Sequence, residues 1–365
     1  MIPLFKIYND KSDISAIEKV VKSGMFWATG DEISQFESKI SQYIGTKYST
    51  VMNSGTSALV AALIACDIGE GDEVIVPSFT FIATAFAVSA VGGIPIFTDI
   101  EEKTCGLDPA DIEKKITKKT RAIIVVHYSG YPCQIEKIKK LAKKSGVILI
   151  EDAAEAFGAK VDGKMIGSFG DISIFSFCQN KIITTGEGGA IVTDSYPLQR
   201  KIKQIISHGR NYPGKFFENK KPIDYISLGH NWRMSSITAA LGLSQIKKTE
   251  HNIKERIRIA KYYQEKLSKI DGVSFLEGME EAKNVFQMFP IRARNRDSLA
   301  KFLDSQKIAS RVCFSPVHKC YYYKNKTYLP ATEKISKEIL TLPIYPKMAQ
   351  RDLKLVVKSV SEFYK

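Results

Sequence analysis

Short apolar runs alternate along this chain with stretches in which apolar side chains recur every third or fourth position. The short runs have the unbroken apolar character of strands that are buried on both faces of a sheet. They occupy residues 49–52, 73–77, 94–99, 122–126, 147–150, 172–177 and 189–193. Helical spacing predicts a helix before the first of these runs, at residues 31–44, and a crossover helix between two of them, at residues 136–144. The alternation indicates an α/β fold, with a mostly parallel sheet of about seven strands and helices on both faces.

The pattern changes on either side of this region. Before it, apolar residues at 14, 17, 20 and 21 predict a helix that packs on the outside of the protein. After it, a long charged helix is predicted at 250–270, then strands at 273–276, 286–291 and 310–314 and helices at 296–306 and 350–364. We therefore predict an N-terminal segment (1–29), a large domain (30–247) and a small C-terminal α+β domain (248–365).

Composition argues against several classes of protein. The longest apolar run, residues 85–97, is interrupted by Gly92, Gly93 and Pro95 and is too short to span a bilayer. Because the N-terminus has no signal-peptide pattern, we expect a cytoplasmic protein without a membrane partner. The six cysteines are dispersed, so the sequence predicts neither a disulfide framework nor a metal site.

The formal net charge of +14 comes from lysines that are scattered over the whole chain. Scattered lysines are typical of a solvated surface, and steering of an anionic substrate is the second interpretation. Nucleic-acid binding is the third, but no recognisable module and no long basic tract supports such a partner.

One lysine lies between two of the predicted strands. The run 172–177 leads into Lys181, and the small and hydroxylic residues Thr184 to Gly189 follow before the next strand. A lysine between buried strands is costly to desolvate unless another group compensates it. Its free amine suits Schiff-base formation with a carbonyl cofactor. From this run alone, a surface lysine in a hairpin is the alternative.

A carboxylate ends the apolar run 147–150. This run reads as a parallel strand that finishes at Asp152, and Glu155 follows three residues later. Ligands bind at the carboxyl edge of open α/β sheets. An acid at that edge and a loop lysine from the same sheet suit pyridoxal phosphate. The lysine forms the imine, and the acid keeps the pyridine nitrogen protonated.

These motifs carry a family resemblance. The runs Phe175-Ser-Phe and Asn180-Lys-Ile-Ile-Thr-Thr-Gly-Glu-Gly-Gly resemble the sugar aminotransferases called DegT/DnrJ/EryC1/StrS, within the aspartate-aminotransferase fold superfamily. The matching motifs extend from Gly30 to about Leu243 and recur weakly to the C-terminus. The resemblance implies the pyridoxal-phosphate-dependent transferase fold, pyridoxal 5'-phosphate as cofactor, and a homodimer with its active sites at the interface.

The resemblance also implies roles for particular residues. Lys181 would bind the cofactor and then act as general base, while Asp152 would face the pyridine nitrogen. Phe81 would stack on the ring, with a core phenylalanine as the alternative. The cofactor phosphate would be held by Gly55, Thr56, Ser57 and Ser176. The first three open a predicted helix, where unpaired amides favour an anion, although a plain Ser/Thr cap gives the same pattern.

Glu155 departs from the family pattern, because many members carry Gln or His at this position. It would lie near the ring hydroxyl of the cofactor. A carboxylate beside an ionised hydroxyl is unfavourable unless it is protonated or turned toward the sugar. The role of Glu155 therefore stays open.

Two further segments resemble substrate or interface elements of the family, and a third is suited to a substrate by its composition. Asn231 would reach the partner's cofactor phosphate, and Arg233 follows it in the same Asn-x-Arg-Met run. A helix cap and a structural ion-pair partner are their alternatives. His318 stands where the family has a histidine close to the sugar, although a lone histidine is more often structural. Residues 211–224 form a polar, aromatic segment suited to covering a substrate.

The resemblance implies transfer of an amino group, usually from glutamate, to a nucleotide-linked 4-keto or 3-keto deoxy sugar. The run Glu151-Asp-Ala-Ala-Glu-Ala most resembles perosamine-synthase-like members, which act on a GDP-4-keto-6-deoxy sugar. An amino-acid aminotransferase is an alternative that needs arginine clamps, for which Arg233 and Arg311 are candidates. A sugar dehydratase is a weaker one, because those relatives have histidine where this chain has Lys181.

Overall fold

The computed structural model describes residues 1–211, 222–324 and 326–365, and its strands form one large sheet and two small ones. The strands in chain order are β1 (Tyr48–Met52), β2 (Glu73–Pro77), β3 (Ile94–Thr98), β4 (Thr120–Val126), β5 (Ile148–Asp152), β6 (Lys160–Val161), β7 (Lys164–Met165), β8 (Ile172–Ser176), β9 (Gly189–Thr193), β10 (Val273–Phe275), β11 (Ala282–Lys283), β12 (Phe289–Ala293) and β13 (Ile339–Leu342).

The large sheet has seven strands in the order β1-β9-β8-β5-β4-β2-β3. The five strands from β8 to β3 pair in parallel, while β9 is antiparallel to both β8 and β1. The predicted α/β fold class is therefore confirmed. Because β5 and β8 are neighbours, their last residues, Asp152 and Ser176, lie at the same carboxyl edge. That edge is where ligands bind in sheets of this type.

Helices cover the sheets on both sides. Those in the described ranges are α1 (Lys11–Lys22), α2 (Glu32–Ile44), α3 (Gly55–Ala65), α4 (Ala83–Ala90), α5 (Pro109–Lys115), α6 (Ile135–Ser145), α7 (Tyr196–Ile205), α8 (Ser236–Ile246), α9 (Thr249–Leu267), α10 (Arg296–Ser305), α11 (Pro330–Glu338) and α12 (Gln350–Phe363). Their starts follow local rules, as at α3 and α8, where Ser54 and Ser235 accept a backbone N–H of the first turn. The predicted helix after β2 begins later than expected, at Ala83 rather than near residue 78.

The C-terminal part of the chain builds a three-stranded antiparallel sheet in the order β10-β12-β13. The strand predicted at 310–314 is wrong. Arg311 makes one isolated bridge to Thr341. Farther along, the Val317 N–H donates to the Ser78 carbonyl at 2.8 Å, so this part of the chain lies against the residue that follows β2 of the large sheet. The third strand is instead β13, whose residues are all buried.

The first thirteen residues, here called the strap, connect both parts of the molecule. Ile2 pairs with Ile308, and the Ile344 N–H donates to the Leu4 carbonyl at 3.1 Å. Farther along, Lys248 Nζ contacts the carboxylates of Asp10 and Asp13 at 2.9 and 2.5 Å. The helix α1, whose first residues end the strap, packs against α8. The division at residues 29 and 247 stays a prediction.

Two properties of the described residues bear on the expectations from composition. None of the helices in the described ranges has both the length and the apolar character needed to cross a bilayer. The six cysteines are free thiols, and Cys66, Cys105, Cys133 and Cys313 are buried.

Candidate active site

Three charged side chains meet at the carboxyl edge of the large sheet. Asp152 ends β5, Glu155 lies in the turn that follows, and Lys181 lies in the loop between β8 and β9. Lys181 Nζ is 3.6 Å from Glu155 Oε1. The Lys181 side chain is only 14% exposed, so the alternative of a surface lysine is wrong.

Asp152 is buried and accepts two hydrogen bonds. Thr84 Oγ1 donates to Oδ2 at 2.9 Å, and the Ala154 N–H donates to Oδ1 at 3.2 Å. Burial raises the pKa of Asp152 above its ordinary value, and these two bonds do not outweigh it. The Lys181 charge acts in the opposite direction to burial and favours the ionised form. A cationic group placed against this carboxylate would therefore be strongly favoured.

Glu155 is held from one side by backbone and faces the lysine on the other. The Ser129 N–H donates to Glu155 Oε2 at 2.7 Å. Ser129 has a positive φ of 55° within a short turn that follows β4. This conformation is uncommon for a residue other than glycine and turns the amide toward the carboxylate. The arrangement leaves Oε1 directed at Lys181.

The start of α3 lies close against the end of β8. A Cβ atom at Gly55 would lie 2.9 Å from the Ser176 Cβ, so only glycine permits this approach. The Ser57 N–H donates to the capping Ser54 Oγ at 3.1 Å. The Gly55 and Thr56 amides have no acceptor within the helix, and Gly55 lies beside the Ser176 hydroxyl. Thr56 is exposed here. The Ser57 hydroxyl, by contrast, donates to Asn53 Oδ1 at 2.6 Å and stabilises the turn itself.

Phe81 lies just before α4 and is 52% exposed, with its ring 5.8 Å from that of Phe314. The alternative of a core phenylalanine is therefore wrong. Thr84, three residues later, carries the hydroxyl that contacts Asp152. The exposed ring thus belongs to the same turn that supports the buried acid.

Asn231 and Arg233 lie beside the start of α8. Asn231 is exposed and forms an isolated bridge with Ser207, and Ser235 rather than Asn231 caps α8. Arg233 Nη1 donates to Ser207 Oγ at 3.3 Å, and burial lowers the pKa of Arg233. Residues 212–221, the centre of the predicted covering segment, lie outside the described residues.

The His318 side chain is enclosed in the protein and contacts none of the other predicted site residues through a hydrogen bond or ion pair among the described residues. Its side chain is 0% exposed, Nδ1 lies 2.5 Å from Ser78 Oγ, and Nε2 lies 3.6 Å from Glu333 Oε1. Burial lowers the pKa of His318, which favours the neutral imidazole. An enclosed histidine cannot contact a substrate, so the prediction of a substrate-binding role does not match this structure and the structural alternative does.

Two residues of this site were missed in the sequence. Thr84 and the Ser129 amide contact the two acids across 68 and 26 residues of chain. Only a structure could identify them as contacts of these acids. The one feature of the sequence that indicated Thr84 is its hydroxyl, which lies in the first turn of the helix that follows β2.

Comparison with known proteins shows which family this chain belongs to. Residues 8–361 match the DegT/DnrJ/EryC1/StrS aminotransferase family. The chain belongs to that family. GDP-perosamine synthase of Escherichia coli O157:H7 is 35% identical over 370 residues, which cover 100% of this chain and 98% of that protein. GDP-perosamine synthase of Vibrio cholerae is 30% identical over 375 residues, which cover 100% of this chain and 99% of that protein.

Solved structures of aminotransferases share the whole fold. Helicobacter pylori PseC, an aminotransferase involved in the biosynthesis of pseudoaminic acid, matches with a TM-score of 0.93 at 28% identity and covers 100% of this chain and 99% of that one. An aminotransferase from Psychrobacter cryohalolentis matches with a TM-score of 0.91 at 30% identity and covers 98% and 97%. The resemblance found in the sequence is confirmed.

As a member of the DegT/DnrJ/EryC1/StrS family, the protein is an aminotransferase that uses pyridoxal phosphate. The enzyme class and the cofactor predicted from the sequence are therefore confirmed. The residues present fit this cofactor: a buried acid with few donors suits a protonated ring nitrogen, and the amides beside Ser176 suit a phosphate.

Proposed function

We propose that this aminotransferase moves an amino group from glutamate to the keto group of a nucleotide-linked 4-keto-6-deoxy sugar. The observation that carries the proposal is the group of Lys181, Glu155 and Asp152 at one sheet edge, with the amine 3.6 Å from one carboxylate. The similarity to GDP-perosamine synthases over the full chain supports a sugar acceptor. Glutamate as donor rests on the family resemblance.

The proposed cofactor contacts follow from the chemistry of each side chain. Lys181 would hold the cofactor through its aldehyde carbon, and Asp152 would accept the N–H of the pyridine ring. Phe81 would stack on the ring face, since its side chain is exposed and lies three residues before Thr84, which contacts the acid. The phosphate is held by Gly55, Thr56, Ser57 and Ser176. The first-turn amides and the Ser176 hydroxyl are the stronger candidates, because the Ser57 hydroxyl already donates to Asn53.

When bound, pyridoxal phosphate supplies an electron sink and a carrier for the amino group. The free amine of Lys181 would act as the base that takes the proton from the carbon bearing the donor's amino group. Glu155 Oε1, 3.6 Å from this amine, would help to keep it in place, while the Ser129 amide holds the other oxygen of the Glu155 carboxylate. In the return half of the reaction the same amine would deliver a proton to the sugar carbon.

A homodimer is part of the proposal, with Asn231 directed toward the partner's phosphate site and Arg233 beside it. Large apolar residues stand exposed in two segments, at Met25–Trp27 and Tyr225–Leu228. A cleft of about 480 Å³ lies next to both segments. Its lining includes Thr29, Arg210 and Arg233. Apolar groups exposed beside a cleft are typical of a protein interface, and the occupant we propose is a second copy of this chain.

The role of Lys181 is tested by borohydride reduction. We expect the purified protein to be yellow and reduction to fix the cofactor on Lys181, as read by peptide mass spectrometry. Lys181→Ala should lower kcat by more than about a thousandfold. A colourless protein without a labelled lysine would overturn the assignment.

The acceptor is tested with the pyridoxamine form of the enzyme and a panel of nucleotide keto sugars. We expect a GDP-4-keto-6-deoxy sugar to be consumed fastest. Rapid reaction with 2-oxo acids alone, and with no sugar, would instead support an amino-acid aminotransferase. Reaction with a 3-keto sugar would correct the position of the ketone.

The dimer is tested by sedimentation of the intact protein. We expect a mass of twice 40.8 kDa at assay concentrations. Leu228→Glu, at a position 86% exposed, should weaken association because it places a charge in the apolar surface. A fully active monomer would contradict the shared site.

A further inference from the structure

The backbone on both sides of Lys181 is held by two amide side chains from distant parts of the chain. Asn252 Nδ2 donates to the carbonyl of Ile182 at 2.9 Å. Gln287 Nε2 donates to the carbonyl of Asn180 at 2.5 Å. The peptide unit that precedes the lysine and the one that follows Ile182 are thus each held by a side chain from a distant part of the chain.

Both amides are connected to one face of α9. Asn252 lies on α9 itself, and Arg256 follows one turn later, so both side chains are on the same face. Arg256 Nη1 donates to the carbonyl of Gln287 at 2.9 Å and to that of Ile344 at 3.2 Å. The guanidinium therefore fixes the backbone from which the Gln287 side chain reaches Asn180.

The anchoring groups are buried, so water competes little with these bonds. Asn252, Arg256 and Gln287 are all nearly inaccessible to solvent. Burial lowers the pKa of Arg256 to about 10, and the side chain still carries its charge at neutral pH. Bonds donated by a charged group are about twice as strong as neutral ones.

We propose that Asn252 and Gln287 are positioning residues that hold the loop of Lys181 so that its amine returns to one place in each half of the reaction. The inference rests on the proposed function of Lys181. The lysine side chain must leave the cofactor and then act on a nearby carbon. With both flanking carbonyls fixed, only its own side-chain torsions need to change. Small misplacement of a reacting group can cost about a hundredfold in rate.

The test uses Asn252→Ala, Gln287→Met and a matched control, Gln245→Ala. Gln245 is also a buried amide, but its Nε2 donates to the carbonyl of Tyr8 at 3.1 Å, on the strap. Gln287→Met keeps the approximate shape of the side chain and removes its donor, together with an Oε1 atom that has no hydrogen-bond partner among the described residues. It carries the test alone if Asn252→Ala does not fold.

Two measurements are made on each full-length variant. We expect kcat to fall about tenfold in Asn252→Ala and in Gln287→Met, with the KM for the amino donor within about twofold of wild type. Hydrogen exchange of the peptide covering residues 178–185 should be about tenfold faster. Gln245→Ala should change neither quantity.

Both changes are required together. Variants that match Gln245→Ala in kcat and in exchange would overturn the inference. So would a fall in kcat without faster exchange, or faster exchange without a fall in kcat, because the effect would then not act through this loop. A wild-type enzyme that borohydride labels at another lysine would overturn the proposed function instead, whatever the exchange of residues 178–185.

Discussion

Glu151 and Asp152 are neighbours on β5 and face opposite sides of the large sheet, since side chains alternate along a strand. Both are buried acids, yet their surroundings differ. Asp152 accepts one hydroxyl and one amide. Glu151 accepts three backbone amides from residues 167–170, the Ser173 hydroxyl, and His127 Nε2 at 3.2 Å. His127 Nδ1 accepts the Cys133 N–H, so Nε2 carries the proton in the neutral ring.

The number of donors decides what each carboxylate does. Burial alone would raise the pKa of Glu151, but the bonds from His127 and the backbone amides lower it below the ordinary value. For Asp152 burial prevails and the pKa is raised. A saturated carboxylate stabilises the fold and offers nothing to a ligand. An acid with few donors retains affinity for a cation from outside the chain.

The largest effect is expected from Asp152→Asn. The amide cannot hold the ring nitrogen protonated, so kcat should fall by about a thousandfold. The melting temperature of the apoenzyme should stay the same or rise, because a poorly compensated buried charge is removed. Both quantities are measured on one preparation. A large loss of Tm would assign Asp152 the same structural role as Glu151.

Glu151→Gln should show the reverse behaviour. The NH2 end of the new amide cannot accept the N–H groups that one of the two Glu151 oxygens binds, so the free energy of unfolding should fall by about 3 kcal/mol. The kcat of the folded fraction should stay within about twofold of wild type. Urea unfolding measures the first and an active-site-titrated assay the second. Glu113→Gln, in the exposed pair with Lys144, is the control and should cost less than about 1 kcal/mol.

Thr84→Val tests whether the hydroxyl donor adjusts Asp152. Loss of the bond to Oδ2 should raise the pKa of Asp152 further and lower kcat about tenfold. Thr84→Ser keeps the hydroxyl and should retain most of the activity. Equal activities of the two variants would mean that this donor contributes nothing to the acid.

The smallest effect expected is on the pH dependence of stability. The pKa of Glu151 is lowered from 4.5 on folding, so its contribution is present above 4.5 and is lost as pH falls. The pKa of Asp152 is raised, so its protonation in the folded state partly offsets that loss.

Unfolding of the apoenzyme followed from about pH 6 to about pH 3 distinguishes the contributions of the two acids. Glu151→Gln should flatten the loss of stability, and Asp152→Asn should steepen it. Parallel curves for the two variants would contradict the opposite pKa shifts.

The large sheet could be predicted because its strands are continuous apolar runs with turn residues between them. β13 could not, since no glycine or proline separates Ile339–Leu342 from the end of α11, and the run 310–314 has a better strand pattern. The strand at 310–314 was predicted from local pattern alone. Pairing with a distant partner, which local pattern does not report, decides between such candidates.

The same limit applies to the site. Lys181 and Asp152 could be identified because their chemistry appears in the local sequence. The supports of Lys181 could not, since Asn252 and Gln287 contact its loop across 70 and 107 residues. His318 shows the opposite error, because a sequence does not distinguish an enclosed imidazole from an accessible one.

The strap has a consequence for how the molecule is made. Ile2 and Leu4 find their partners at residues 307–309 and at Ile344, nearly the whole length of the chain away. Synthesis runs from the N-terminus, so these residues leave the ribosome well before their partners and remain unpaired until the last strands have emerged. The strap, although made before its partners, is therefore among the last segments to be fixed in the finished protein.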